Sequence, residues 1–372
     1  MTIPRRIHLS LLFVGAYIFM ATGCSDSSLP TGTLDGAQVV DSMVDAGVAD
    51  VISSEDAAPM SDTVKPAPKS LLDRFQQRPV IVVTLVSHNE LATTKNPDCT
   101  TVTGDETAYL ANREYTLKVA EVVRQGKIAW DLQTDWDYLQ ATKQWDSAAV
   151  TTTTGGMNIL PYLAQLDPSY IAVDAHAHER IFAAGGYNYA DLVYELGQLG
   201  VADNGIVGGF LSTPPEKENW TRFRQPLVGL QSAFEWSPKV LWGGASLNHT
   251  DDPTAAGIWR PKSPEEYFTD APAQALFNIG VYAGPNKKEK DSGLSDILER
   301  YRSGELSTPG LYPISIMLAQ CKLDGSSEAY IQSLIDKFAG PVAKGEMVWA
   351  TLPQIVSAWQ NSTQQASLFH VQ

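Results

Sequence analysis

The sequence predicts an α/β fold, built as a single (β/α) barrel of seven or eight strand–helix units. Residues 79–87 form a continuous β-branched run, which is typical of a strand buried on both faces. Further short apolar runs then alternate with helical stretches as far as residue 359, and this alternation favours a parallel sheet. An open doubly wound sheet is the structural alternative. The chain has no G-x-G-x-x-G and no G-x-x-x-x-G-K-[ST] motif, so nucleotide binding has no support in the sequence.

The predicted elements follow one another in chain order. Strands are expected at 79–87, 128–132, 170–174, 205–210, 239–243, 277–282, 312–319 and 347–350. Helices are expected at 106–125, 158–165, 189–199, 294–303, 328–338 and 352–359. The two remaining long gaps, 211–238 and 244–262, are expected to be loops.

Composition limits the class of partner. The chain has 372 residues, 44% of them apolar and 19% charged, which is a globular composition. Its formal net charge of −15 argues against a nucleic-acid partner, because an acidic surface repels phosphates. The chain has only three Cys, too few for a disulfide-built scaffold, so the fold must depend on a buried core.

The first 23 residues are expected to be a targeting segment. Two Arg precede an apolar run at 7–20 that is too short to span a membrane comfortably, and small residues follow it. The segment 20–24 resembles the lipobox of bacterial lipoproteins, and this resemblance implies a lipid on Cys24. The chain is then an exported, membrane-anchored lipoprotein, with the outer membrane or cell surface favoured because Ser25 follows the lipidated residue. A plain cleaved signal peptide is the alternative.

Residues 24–70 are expected to form a flexible linker. Between 25 and 68 there are eight acidic residues against Lys65, and no aromatic residue. So polar a segment cannot bury enough apolar surface to offset the entropy of ordering it. The catalytic or binding domain is therefore expected at 71–372, held away from the membrane by this linker.

The positions of the histidines are the main evidence on function. Of six His, four follow the C-terminal end of a predicted strand, which in a barrel is the edge that carries the active site. The segments 88–90 and 174–179 each place donors two residues apart, hence on one side of an extended chain. Imidazoles and carboxylates are ligands that zinc accepts, whereas a strand-capping role is the structural alternative. The predicted ligands of a divalent metal, zinc as first choice, are His88, Glu90, His176 and His178.

These motifs resemble those of the polysaccharide deacetylases, the NodB-like branch of the deacetylase barrels. The likeness rests on 88–90, on 174–179 and on 259–261, which is similar to the Arg-x-Pro motif of that family. It implies a metal-dependent hydrolase that acts on carbohydrate or on cell-wall polysaccharide. The chain departs from the family at 84–88, where Thr-Leu-Val-Ser-His replaces the usual Thr-Phe-Asp-Asp-Gly, so the family's catalytic base is not carried over.

The resemblance also suggests roles for single residues. Asp174 or Glu179 is expected to be the general base, and Arg260 is expected to hold a carboxylate by a bidentate pair. Glu90 or Asp174 completes the metal site or orients a ligating His. His249 and Trp259 are expected to contact the substrate.

The sequence is also compatible with other functions. The His-x-Glu of 88–90 is similar to a zinc motif of class II α-mannosidases, and 173–178 is similar to the first metal motif of amidohydrolases. A lipoprotein that keeps the barrel but only binds glycan is the non-catalytic alternative. A disulfide between Cys99 and Cys321 is compatible with an oxidising compartment if their Cα atoms lie within about 7 Å.

Overall fold

The fold is a central sheet, mostly parallel, with helices between successive strands. A computed structural model describes residues 74–89, 105–176, 179–181, 184–211, 220–244, 252–283, 291–319 and 326–371. Within these ranges no helix combines the length and apolarity needed to cross a membrane. The predicted signal and linker lie outside the described residues, as do Cys24, Glu90, Cys99, His178, His249 and Cys321.

The described residues contain the following strands and helices. The strands are β1 Pro79–Asn89, β2 Trp130–Thr134, β3 Ile171–His176, β4 Ile206–Leu211, β5 Leu227–Val228, β6 Glu235–Trp236, β7 Val240–Gly244, β8 Ala255–Ala256, β9 Ile258–Trp259, β10 Phe277–Ile279, β11 Gly310–Ala319, β12 Met347–Trp349 and β13 Phe369–His370. The helices are α1 Glu106–Gly126, α2 Trp136–Trp145, α3 Ile159–Leu166, α4 Tyr189–Gln198, α5 Ser292–Arg302, α6 Ser327–Ala343 and α7 Leu352–Gln360.

The main sheet has the strand order β11-β1-β2-β3-β4-β7-β10-β9, and β12 pairs with β1 beside this path. Its pairs are parallel except β9–β10. All eleven residues of β1 are buried, because it has strands on both sides and side chains packed on both faces. The predicted α/β class and parallel sheet are therefore confirmed.

The sheet curves enough to bring distant strands together. The chain just after β10 forms a parallel bridge with β11 through Tyr282 and Ser315. Backbone hydrogen bonds support the bridge: Ala283 N–H donates to Ser315 O at 2.7 Å, and Ser315 N–H donates to Val281 O at 2.9 Å. Since β11 and β10 lie near opposite ends of the strand order, the bridge joins these ends. The closed (β/α) barrel itself stays a prediction.

Alternate residues of β1 belong to two separate cores. Val83 and Leu85 pack with residues of the surrounding helices, whereas Val82 and Val86 pack with inward residues of other strands and with the start of α7. Since side chains alternate across a strand, His88 shares the inner face with Val82 and Val86. The apolar run that predicts β1 thus also sets the direction of its histidine.

A buried ion pair ties α1 to the start of α3. Arg113 Nε donates to Asp146 Oδ1 at 2.8 Å, and the two side chains are 5% and 2% exposed. Asp146 also accepts hydrogen bonds from Tyr109 Oη at 2.7 Å and from the backbone N–H of Ile159 at 2.7 Å. One carboxylate therefore satisfies donors from two separate parts of the chain, α1 and the start of α3.

Replacing Asp146 with Ala should destabilise the fold by about 3–5 kcal/mol, because it leaves the Arg113 charge buried without its partner. Urea unfolding followed by circular dichroism measures the loss. The control is Glu121→Ala, which removes an exposed ion pair with Arg124 and should change the free energy of unfolding far less. Equal losses in the two variants would contradict the buried network.

Candidate active site at the carboxyl edge of the sheet

Two predicted ligands, His88 and His176, lie against each other on the inner face of the sheet. Their ring centroids are 4.0 Å apart and the rings are tilted by 37°. His88 is 8% exposed and His176 is 2% exposed. They lie at the C-terminal ends of β1 and β3, with β2 between these strands. Both histidines thus lie at the carboxyl edge of the sheet, where the sequence predicts them.

A polar partner holds each ring from the side. His88 Nε2 lies 2.8 Å from Tyr282 Oη, and His176 Nδ1 lies 3.4 Å from Oε1 of Gln133 on β2. The carboxamide oxygen of Gln133 faces Nδ1 and can accept a hydrogen bond from it, in the tautomer that leaves the lone pair on Nε2. Metal-binding histidines commonly have an outer partner of this kind, which fixes ring orientation and tautomer.

Aromatic side chains form a wall beside the histidines. The Trp242 ring lies 4.8 Å from the Tyr282 ring and 5.7 Å from the His88 ring, measured between centroids. Trp242 Nε1 donates to Ser315 Oγ at 3.0 Å, which satisfies the indole across the interior. Sequence reasoning missed these three residues, although each lies within a predicted strand. The alternation of side chains along each strand could have indicated them, but only once it is known which face of the strand points inward.

Two glycines on β4 make room for the rings. Gly209 has a φ of +66°, and a Cβ there would overlap the ring of His176. A Cβ on Gly208 would overlap the carboxamide of Gln133. The strand is irregular here, with a register shift between Gly208 and Phe210. The Gly-Gly pair therefore allows the His176–Gln133 contact, and the sequence analysis did not single it out.

Glu179, three residues beyond His176, is a buried carboxylate that hydrogen bonds keep in place. Its Oε1 accepts a hydrogen bond from Tyr189 N–H at 2.9 Å and another from Arg222. Oε2 accepts no hydrogen bond from the part of the chain that the structure describes. Burial raises the pKa of Glu179 above its ordinary value, while Arg222 acts in the opposite direction. Such a group can accept a proton closer to neutral pH than an exposed Glu can.

Asp174 belongs to a different arrangement. Its Oδ1 accepts a hydrogen bond from Asn204 Nδ2 at 2.8 Å. Burial raises the pKa of both Asp174 and its neighbour Asp131, which favours a proton shared between the two carboxyl groups. Asp131 in turn accepts from the backbone N–H of Leu352 at 3.3 Å. Asn204 precedes β4, and Asp131 pairs with Ala172, two residues before Asp174, so these contacts point Asp174 towards the amino edge of the sheet. Between the two predicted bases, the geometry favours Glu179.

Arg260 and Trp259 do not join the histidines. Because β9 runs antiparallel to β10, the chain leaves Trp259 towards the amino edge, the edge opposite His88 and His176. Arg260 does make the expected bidentate pair, but with Asp270, through two bonds of 3.1 Å. Trp259 is 0% exposed and donates from Nε1 to the backbone of Tyr267. A fully buried ring offers no face to a substrate, so that expectation for Trp259 is wrong.

The two described candidate ligands, His88 and His176, are chemically suited to bind a metal. Two imidazoles with outer polar partners are what zinc accepts from protein. No group of three His, Cys, Asp or Glu suited to a metal occurs within the described ranges. The other predicted ligands, Glu90 and His178, lie outside those ranges, so the four-residue site stays a prediction.

Comparisons with known proteins give only distant similarity. No protein-family model matches the chain, and neither does any curated protein. The crystal structure of PuuE allantoinase is similar with a TM-score of 0.43 and 12% identity, over 77% of this chain and 92% of that one. A probable polysaccharide deacetylase from Pseudomonas aeruginosa PAO1 is similar with a TM-score of 0.43 and 10% identity, over the same shares. Similarity at this level does not establish a shared activity.

Gly209→Ala should disturb the His176 ring, since the added methyl group enters its volume. Adopting a positive φ costs Ala about 1 kcal/mol, and overpacking adds about 1–3 kcal/mol. Gly200→Ala is the matched control, because Gly200 has a φ of +90° but nothing lies within 4 Å of its added Cβ. Urea unfolding should show a larger loss for Gly209→Ala. The same loss in both variants would mean that the ring does not occupy this space.

Asp131→Asn should make the fold more resistant to alkaline pH. In the native protein, burial and the neighbouring Asp174 raise the pKa of Asp131 well above its ordinary value. The unfolded chain releases that proton near pH 3.9, so native stability falls as pH rises from there through the raised pKa. The Asn variant can bond to Asp174 without a shared proton, and its free energy of unfolding should exceed that of the wild type at pH 8 but not at pH 3.5.

Urea titrations at the two pH values measure the difference. Asp296→Asn is the control for the same change in charge, because Asp296 is an exposed residue of α5. A pH profile of Asp131→Asn that runs parallel to the wild type would contradict the shared proton.

Proposed function

We propose that the protein is a metal-dependent hydrolase of carbohydrate, and that it removes acetyl groups from an N-acetylated polysaccharide. The observation that carries the proposal is the 4.0 Å contact between the His88 and His176 rings, at the carboxyl edge of a mostly parallel sheet. In α/β folds, ligands bind outside the carboxyl ends of the strands. Two buried histidines with purely structural roles would also need polar partners, but they would not need to meet at this edge.

His88 and His176 would hold the metal, together with Glu90 and His178 from outside the described residues. A bound divalent metal such as zinc supplies an acidified water and polarises a carbonyl oxygen. Tyr282 and Gln133 would keep the two imidazoles in place, through the contacts of 2.8 Å and 3.4 Å.

Glu179 is the proposed general base. Its Oε2 would take the proton of the attacking water as the new carbon–oxygen bond forms, and would return it to the amine as the carbon–nitrogen bond breaks. Arg222 and the Tyr189 N–H both hold Oε1, which orients the carboxylate and leaves Oε2 to react. The raised pKa of Glu179 suits both halves of this proton transfer.

An aromatic pair at the same edge supports a sugar substrate. Trp136, the second residue after β2, stacks on Tyr187, which precedes α4; the ring centroids are 4.7 Å apart and the angle between the rings is 11°. Trp136 is partly exposed, and an exposed indole face is a surface on which a sugar ring can lie. Export, a lipid on Cys24 and a flexible linker remain part of the proposal. They would present this edge to cell-wall polysaccharide near a membrane.

The His88→Ala, His176→Ala double variant should lose the metal that the wild-type chain retains. Elemental analysis of purified full chain after zinc loading measures metal content, and release of acetate from acetylated chitooligosaccharides measures activity. His370→Ala is the control, because His370 lies on β13 and contacts Phe268 rather than the histidine pair. Undiminished zinc in the double variant would reject the metal site.

Glu179→Gln separates catalysis from metal binding. It should keep the metal and lower acetate release by about 10²–10⁴-fold, the usual contribution of a general base. Metal without acetate release in the wild type would reject deacetylation. Binding of the oligosaccharide with neither metal nor acetate release would favour the non-catalytic glycan-binding protein.

A further inference from the structure

A second cavity lies at the opposite, amino edge of the sheet. It has a volume of about 480 Å³ and is lined where β7 and β10 begin, by Lys239 and Phe277, and by Arg260 after β9. The histidine pair lies at the carboxyl edge of the same sheet, so this cavity, here called the amino-edge pocket, is separate from the proposed active site.

The amino-edge pocket is positively charged in an acidic protein. Arg224, Lys239 and Arg260 line it, and no Asp or Glu occurs among its described lining residues. The whole chain carries a formal charge of −15, so a cavity whose charged lining residues are all cations differs from the average of its surface. Like charges gathered around one cavity repel each other, and a bound anion relieves that repulsion.

The three cations are held by different means. Arg260 is fixed by Asp270, which also accepts the backbone N–H of Arg260 at 2.8 Å. The Arg224 guanidinium lies over the Trp220 ring, 4.9 Å from its centroid. Lys239 lies along the backbone of Gly205, where an added Cβ would come within 2.9 Å of its stem. Within the described ranges, Arg224 and Lys239 have no carboxylate partner, so both charges are available to a ligand.

The other lining residues indicate the rest of the ligand. Gln225, Gln274 and Gln360 bring neutral amide groups, which can donate to and accept from hydroxyl groups. Phe277 and Trp359 contact each other with ring centroids 3.9 Å apart and give the pocket an apolar side. Cations, amides and an apolar side together match a molecule with a carboxylate, several hydroxyls and one apolar face. The volume lies in the range of small-molecule sites.

We propose that the amino-edge pocket binds a carboxylate-bearing sugar, such as a uronic acid unit of an acidic polysaccharide. Arg224 and Lys239 engage the carboxylate and the glutamine amides engage the hydroxyls. Phe277 and Trp359 are 5% and 4% exposed, so only their edges border the sugar. The pocket gives the protein a second point of attachment to an acidic glycan. It does not depend on the hydrolase proposal, because it shares no residue with the histidine site.

Calorimetric titration of the full chain with digalacturonate tests the proposal. The Arg224→Gln, Lys239→Gln double variant should bind at least tenfold more weakly than the wild type. The control double variant, Lys118→Gln with Arg300→Gln, removes the same charge from exposed helix positions and should keep the wild-type affinity. The dimethyl ester of digalacturonate, which lacks the negative charge, should not bind measurably. Circular dichroism verifies that all variants are folded.

Three outcomes would overturn the proposal. The first is equal affinity in the two double variants, which would mean that the pocket cations are not the contact. The second is equal binding of the acid and its ester, which would remove the carboxylate from the recognition. The third is inorganic phosphate binding as tightly as digalacturonate, which would make the pocket a general anion site instead of a sugar site.

Discussion

The arrangement of the candidate site depends on the parallel register of β1, β2 and β3. Pairing of His88 with Gln133, and of Gln133 with Asp174, sets the level at which each inward side chain enters the interior. His176 lies one inward position beyond Asp174, and this stagger brings its ring to His88 across the intervening strand. A slip of one residue in either pairing would turn the affected side chains to the helix-covered face.

Polar groups fill much of the interior below and beside the histidines, which is unusual for a fold that depends on a buried core. Asp131 and Asp174 are buried neighbours with raised pKa values, and Gln133 and Ser315 contact aromatic or imidazole groups. Burying such groups costs free energy unless their hydrogen bonds are made inside the protein. Burial of apolar side chains offsets this cost: a continuous cluster of aliphatic and aromatic residues packs between the sheet and the helices. The inner face of the sheet can therefore carry polar side chains without loss of the fold.

The two edges of the sheet present different charged groups. At the carboxyl edge, Glu179 is buried and its charge is opposed mainly by Arg222. At the amino edge, Arg224 and Lys239 line a cavity without a carboxylate among its described lining residues. A polysaccharide with acidic and acetylated units would find complementary groups at both edges.

The sequence by itself determined the α/β class, the parallel sheet and the bounds of most strands and helices. These follow from local patterns, because β-branched runs and helical periodicity reflect burial of neighbouring residues in the chain. It also placed His88 and His176 at strand ends, which is why their contact could be anticipated. Helix α2 was not predicted, because its buried face (Tyr138, Leu139, Ala141 and Thr142) includes only one aliphatic residue larger than Ala and a polar Thr.

Only the tertiary structure decided which side chains surround the histidines. Tyr282 lies 194 positions from His88 along the chain, and Gln133 lies 43 positions from His176, so no local pattern connects them. The tertiary structure also decided the direction of the chain at β9, where one antiparallel pairing sends Arg260 to the far edge. Strand order and direction arise from packing between distant segments, and a single sequence read along its length carries no direct record of them.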